Sequence, residues 1–142
     1  MTGVNTGGAA LPGLNVLLVE DDADIRGLLR FCLDDGERCG AVTEVGSPQD
    51  AVRAAAAGSF QLMLVDFMLA GGTAADCLPR LRRLQPRSWI VIYTANCAAA
   101  EAFGVINAGA DLLVEKMSLG IDSLVALALT REDPGPQPLR SG

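Results

Sequence analysis

Five polar residues close the apolar runs of this chain, and their types form one chemical set. Glu20 and Asp21 follow Val16-Leu17-Leu18-Val19, and Asp66 follows Leu62-Met63-Leu64-Val65. Thr94 follows Trp89-Ile90-Val91-Ile92-Tyr93, and Lys116 stands two residues past Leu112-Leu113-Val114. Asp66 is the most demanding of them. A carboxylate in so apolar a stretch carries a desolvation cost of about several kcal/mol unless a cation or hydrogen-bond donors meet it at a wet edge. Three carboxylates brought close together would raise one another's pKa unless a hard cation sat among them, and an all-oxygen set suits Mg2+. Such a cation, the Lys116 ammonium and the Thr94 hydroxyl, converging on one carboxylate oxygen, would neutralise the spread charge of a phosphoryl group. Asp66 would then be the nucleophile.

Taken singly, each residue has an ordinary explanation. An acidic pair before a helix caps it, a threonine in a strand is a β-branched strand residue, and a lone lysine is a surface lysine. The chemistry therefore depends on elements that bring all five to one place. The run before Asp66 is too short to cross a membrane and too apolar for an exposed helix, so it reads as a fully buried strand. The runs ending at Val19, Tyr93 and Val114 read the same way, and Ala41-Val42-Thr43-Glu44-Val45, with one polar face, reads as a weaker strand at a sheet edge. In open parallel sheets ligands bind beyond the carboxyl ends of the strands, where strand order reverses. All five polar residues fall at that edge.

Helical patterns separate the strands. Ile25, Leu28, Leu29 and Cys32 recur at helical spacing behind an Asp22 N-cap, and Gly36 closes the helix. Ser47-Pro48-Gln49-Asp50 is a capped helix start, and that Ala-rich helix runs to Gly58. After a Gly71-Gly72 loop, Thr73-x-x-Asp76 offers a cap, but Pro79 requires the helix carrying Leu78, Leu81 and Leu84 to start late or bend. The spacing predicts a helix over residues 98–107 closed by Gly109, and a final apolar helix over 121–130. The strict strand-helix alternation predicts an α/β domain over residues 14–130 with helices on both faces of a parallel sheet. A flexible Gly-rich arm over 1–13 and a Pro/Gly-rich tail over 131–142 flank it.

Composition narrows the function classes. With 142 residues the chain fits one domain of ordinary size, leaving no room for a second folded one. A formal charge of −6 with only eleven Lys and Arg argues against nucleic-acid binding, and Arg80, Arg82, Arg83 and Arg87 read as a solvated helix face. The absence of histidine removes the commonest general base and zinc ligand. Cys32, Cys39, Cys77 and Cys97 lack metal-site spacing and read as small buried apolar residues in a reducing compartment. No signal peptide and no membrane span is legible, so a cytoplasmic location is expected.

Over about residues 14–130 the chain resembles the receiver domain of two-component response regulators, in its single-domain form. Val16-Leu17-Leu18-Val19-Glu20-Asp21-Asp22 is similar to the family's acidic-pair segment, and Leu64-Val65-Asp66-Phe67-Met68-Leu69 to its phosphoacceptor segment. Val91-Ile92-Tyr93-Thr94-Ala95 resembles the switch-threonine strand, and Gly109-Ala110-Asp111 through Lys116 the lysine segment. The resemblance implies a flavodoxin-like (βα)5 doubly wound fold with strand order 2-1-3-4-5. It implies that Asp66 accepts a phosphoryl group from a sensor histidine kinase or histidine phosphotransfer protein, with Thr94 as switch hydroxyl and Lys116 as the phosphate's ion pair. Glu20 and Asp21 occupy the metal-binding places, and Mg2+ would be held by Asp21, Asp66, the Met68 backbone carbonyl and waters. Such a protein is a phosphorylated signalling component with slow self-dephosphorylation, not an enzyme acting on other substrates. Its downstream protein partner is not named by the sequence, and the helix over 98–107, the strand at 112–114 and the helix over 121–130 form a candidate homodimer or output face.

The chain departs from the family pattern at Ala70 in place of proline, at Thr73-Ala74 in place of Asp-Gly, and at Leu113 in place of an aromatic. Met117 stands where a proline commonly follows the lysine, so no cis bond is expected there. These differences leave a second reading, a pseudo-receiver that keeps the fold and signals without phosphate. A third, an aspartyl-phosphate hydrolase or transferase for small molecules, would need a second acid two residues past the nucleophile, where this chain has Met68.

Overall fold

Runs of Leu, Val and Ile with no polar face can satisfy both their side chains and their backbone only inside a sheet covered on both sides. A computed structural model of the protein describes residues 14–35, 39–95, 97–116 and 120, and it shows that sheet. Five parallel strands, β1 (Leu14–Val19), β2 (Cys39–Val45), β3 (Leu62–Asp66), β4 (Trp89–Thr94) and β5 (Leu112–Glu115), lie in the order β2-β1-β3-β4-β5. In chain order this is 2-1-3-4-5, the flavodoxin-like arrangement. Every residue of β3 is buried, as a central strand with helices on both faces requires. At the edge, β2 exposes Thr43 and Glu44. Expectations about the N-terminal arm, the helix over 121–130, the tail and the Lys116–Met117 bond lie outside the described residues, as does part of the candidate homodimer face.

The helix starts follow from their caps. Asp22 Oδ1 accepts the backbone N–H groups of Asp24 (2.9 Å) and Ile25 (3.2 Å) and begins α1 (Ala23–Asp35). Ser47 Oγ accepts the Asp50 N–H at 3.1 Å, and Pro48 occupies the first turn of α2 (Pro48–Ala57), which ends at Gly58. Thr73 and Asp76 form a reciprocal capping box, but around a short 3-10 turn, Ala74–Asp76. The helix proper, α3 (Leu78–Leu84), starts after it with Pro79 in its first turn, where a missing N–H costs little.

The structure corrects four sequence-based expectations. The single helix over 98–107 is two pieces, α4 (Cys97–Ala102) and α5 (Val105–Ala108). Gly104 stands between them at φ +68°, a left-handed conformation that ends α4, and the Phe103 ring lies tilted against Phe67 with centroids 5.5 Å apart. The Gly71-Gly72 loop is a small hairpin, pairing Met68–Leu69 antiparallel with Gly72–Thr73. Arg82 is no part of a solvated face. Its guanidinium donates to the carbonyls of Gly109 (2.7 Å) and Ser88 (2.8 Å) and to Asp111 Oδ2 (2.6 Å), fastening α3 to the turns that begin β4 and β5. Of the described cysteine side chains, Cys77 is buried as expected, whereas Cys32 and Cys97 are half-buried; all three are free thiols.

Two cores result. One, between the sheet and α2, α3, α4 and α5, holds Leu17, Val19, Met63, Val65, Ile90 and Ile92. The other, under α1, holds Val16, Leu18, Leu62, Leu64, Val91 and Tyr93. Because strand side chains alternate, each strand feeds both.

Candidate phosphoacceptor site

Register decides which strand-end residues meet. Val19 pairs with Val65, so the next positions, Glu20 and Asp66, stand side by side. Asp66 itself is opposite Tyr93 on β4, and Thr94 is opposite Glu115 on β5. Side-chain alternation puts Glu20, Asp66 and Tyr93 on the α1 face, continuing the rows of Leu18, Leu64 and Val91. Lys116 continues the row of Leu112 and Val114 on that same face.

The resulting contacts are short. Lys116 Nζ lies 3.0 Å from Asp66 Oδ2 and 3.7 Å from Glu20 Oε1. The Met68 N–H reaches Asp66 Oδ1 at 3.3 Å. Phe67 O accepts the Ala74 N–H at 2.8 Å, which makes Met68 and Thr73 the pair whose N–H and C=O groups turn away from the opposite strand. The Met68 carbonyl thus faces the side on which its N–H meets Asp66. Glu20 is 1% exposed and its two oxygens are held separately, Oε1 by the Tyr93 hydroxyl at 2.7 Å and Oε2 by the Asp22 N–H at 3.1 Å. Arg26 Nη1 donates to the Glu20 carbonyl at 2.6 Å and fixes the turn itself.

The electrostatics are those of a carboxylate short of positive charge. Burial, with the neighbouring Glu20 charge adding to it, pushes Asp66 up to about 6 although the Lys116 ammonium pulls it down. Burial works against the Lys116 ammonium, but the hydrogen bond and charge of Asp66, and then Glu20, outweigh it and raise its pKa. Tyr93 is raised as well, first by burial and then by its hydrogen bond to Glu20, so it remains a neutral donor.

A divalent cation fits this donor set. Carboxylate oxygens of Glu20, Asp21 and Asp66 all lie within 4.8 Å of one another, and Asp21 is exposed, which opens the group to solvent. Three carboxylates face one ammonium, leaving two negative charges for a hard, oxygen-seeking ion to balance.

Four of the five residues singled out in the sequence, Glu20, Asp21, Asp66 and Lys116, meet here. The fifth, Thr94, is buried at the end of β4, one position past the residue opposite Asp66. Tyr93 was missed. A tyrosine at the buried end of a strand signals a hydroxyl in need of a buried partner, but nothing in the order of residues names Glu20, 73 positions away, as that partner.

A doubly wound parallel sheet with an acidic cluster and a lysine at its carboxyl edge defines a class, and the family follows from comparison. The family model described as the response regulator receiver domain matches residues 16–128, and the chain belongs to that family. It is 30% identical over 129 residues to the transcriptional regulatory protein TcrA of Mycobacterium tuberculosis strain H37Rv, covering 89% of this chain and 49% of TcrA. The chain thus spans about half the length of that relative. Among solved structures it shares its fold with a Burkholderia pseudomallei response regulator crystallised with a phosphorylated aspartic acid, a calcium ion and citrate. The TM-score is 0.71 at 24% identity, covering 89% of this chain and 72% of the other. It also shares its fold with the receiver domain of the Pseudomonas aeruginosa sensor histidine kinase PA1611, crystallised with a magnesium ion coordinated in the active site cleft. There the TM-score is 0.69 at 24% identity, covering 83% and 96%. Among the described residues, no helix is long and apolar enough to cross a membrane.

Proposed function

We propose that this receiver domain is a phosphoacceptor of a two-component phosphorelay, taking a phosphoryl group on Asp66 from a sensor histidine kinase or histidine phosphotransfer protein. The observation that carries the proposal is the Lys116–Asp66–Glu20 cluster at the sheet edge, with carboxylate oxygens of Glu20, Asp21 and Asp66 within 4.8 Å of one another. An Asp66 oxygen attacks the phosphorus of a phosphohistidine. The P–O bond forms as the P–N bond breaks, and the bonding electrons leave with the imidazole. Lys116, already beside Asp66, meets the charge on the transferred group, and Thr94 supplies the hydroxyl that turns toward it. Glu20, Asp21, Asp66 and the Met68 carbonyl would hold Mg2+, which supplies charge neutralisation during transfer.

The product is a signalling state. Phosphorylation shifts the population of a partner-binding surface formed by the 98–107 region (α4 and α5), β5 and the segment over 121–130, and the phosphate is lost by slow self-hydrolysis with no other substrate involved. With Leu113 in the place of the usual aromatic, the Phe67–Phe103 contact is the aromatic link observed between the phosphoacceptor segment and the break before α5. The expected location is cytoplasmic. Beryllofluoride with Mg2+, which mimics a phosphoryl group on a carboxylate, is expected to raise the melting temperature of the wild type and leave Asp66→Asn unmoved. An equal response of the two proteins would contradict the proposal.

A further inference from the structure

Among the described residues, the Tyr93 hydroxyl is a strong donor to the cluster from outside the set expected to bind cation or phosphate. It is fully buried on the α1 face, it reaches across β3 to Glu20 Oε1 at 2.7 Å, and the Lys116 ammonium lies over its ring, 5.5 Å from the centroid. Glu20 therefore has a donor on each oxygen, Tyr93 on Oε1 and the Asp22 N–H on Oε2, and its buried carboxylate is held in one orientation.

We propose that Tyr93 is a positioning residue for cation binding, acting through Glu20. The inference rests on the reading of the site as a Mg2+-dependent phosphoacceptor and names how this chain tunes it. Two effects of removing the hydroxyl oppose each other. Glu20 would lose a donor and become a stronger partner for a cation, but it would also lose its fixed orientation. Lys116 Nζ stands 3.7 Å from Oε1, and the freed carboxylate closes on it. That contact sets the ammonium against the cation and draws it from Asp66, so the loss of order and the new competition act together. The second effect wins, because partners that orient a metal's ligands typically change its affinity by about 10–100-fold when removed.

Isothermal titration of Mg2+ into the unphosphorylated full chain tests this on wild type, Tyr93→Phe, Glu20→Ala and the double variant. Phenylalanine keeps the buried volume, and thermal unfolding by circular dichroism confirms that the fold is intact. Tyr93→Phe is expected to raise the Mg2+ dissociation constant by about tenfold, while in the Glu20→Ala background the same change adds almost nothing. The rate of labelling by acetyl phosphate should fall in Tyr93→Phe at limiting Mg2+ and return to the wild-type rate at saturating Mg2+, a split that a merely structural role would not give. An unchanged dissociation constant in a folded Tyr93→Phe, or an equal effect of the change with and without Glu20, would overturn the inference. If the wild type itself takes no Mg2+, it is the reading of the site that fails. Should Tyr93→Phe not fold, the chain's single tyrosine still reports on the wild type. Its 13C-labelled ζ-carbon resonance is expected to move saturably with Mg2+ in the wild type and to stay fixed in Glu20→Ala, and movement in both would count against the inference.

Discussion

At the scale of the residue, Asp66 holds a charge its surroundings resist. Its pKa in the folded protein is about 6, above the ordinary 3.8, because burial and Glu20 outweigh the ion pair with Lys116. Between those values the folded chain binds more protons than the unfolded one, so stability falls as pH rises through about 6. This group's cost is absent below its unfolded pKa and complete above its folded one. Asp66→Asn, which does not titrate, is therefore expected to match the wild type near pH 4 in metal-free buffer. It should exceed it by about 3 kcal/mol at pH 7 and above, since a tenfold change in proton affinity is worth about 1.4 kcal/mol and the shift from 3.8 to about 6 spans about two of them. Thermal unfolding across pH checks this, and a difference independent of pH would show that the carboxylate is not strained. Added Mg2+ should narrow the gap by stabilising the wild type alone.

At the scale of the element, the turns around α5 separate conformational strain from crowding. Gly104 and Gly109 both have positive φ, +68° and +136°. A Cβ on Gly104 would meet nothing within 4 Å, whereas one on Gly109 would lie 2.9 Å from Arg82 Cβ. Gly104→Ala should therefore cost about 1 kcal/mol, the left-handed penalty alone, and Gly109→Ala about 2–3 kcal/mol, because Arg82 cannot move freely. Equal melting temperatures for the two variants would contradict this. The same region shows where sequence reasoning stops. Apolar spacing over residues 98–107 is helical, and the break comes where Gly104 takes a left-handed conformation at φ +68°, a local stop inside the span that the periodicity alone passes over. Helices whose starts carry their own chemistry, Asp22 before α1 and Ser47-Pro48 before α2, were legible to the residue.

At the scale of the whole molecule, the sheet was legible because its strands are too apolar to be anything but buried, and their alternation with helices fixes a parallel order. The site was legible as a set of strand ends. What was hidden is what pairing register creates, namely the Tyr93 hydroxyl on Glu20 and the Arg82 guanidinium tying α3 to Asp111. Arg82→Ala would remove the Arg82 ion pair of the buried Asp111 carboxylate and the guanidinium's hydrogen bonds to four carbonyls, at Gln85, Pro86, Ser88 and Gly109. The expected loss is about 3 kcal/mol, roughly ten degrees in melting temperature. A variant within a degree or two of wild type would show Arg82 to be a surface residue after all. The central claim, that the buried sheet edge makes Asp66 a phosphoacceptor, is tested most directly by intact-mass measurement after incubation with acetyl phosphate and saturating Mg2+. One added phosphoryl group on the wild type, absent without Mg2+ and absent from Asp66→Asn, is the predicted result. An unlabelled wild type, or a label that persists in Asp66→Asn, would contradict it.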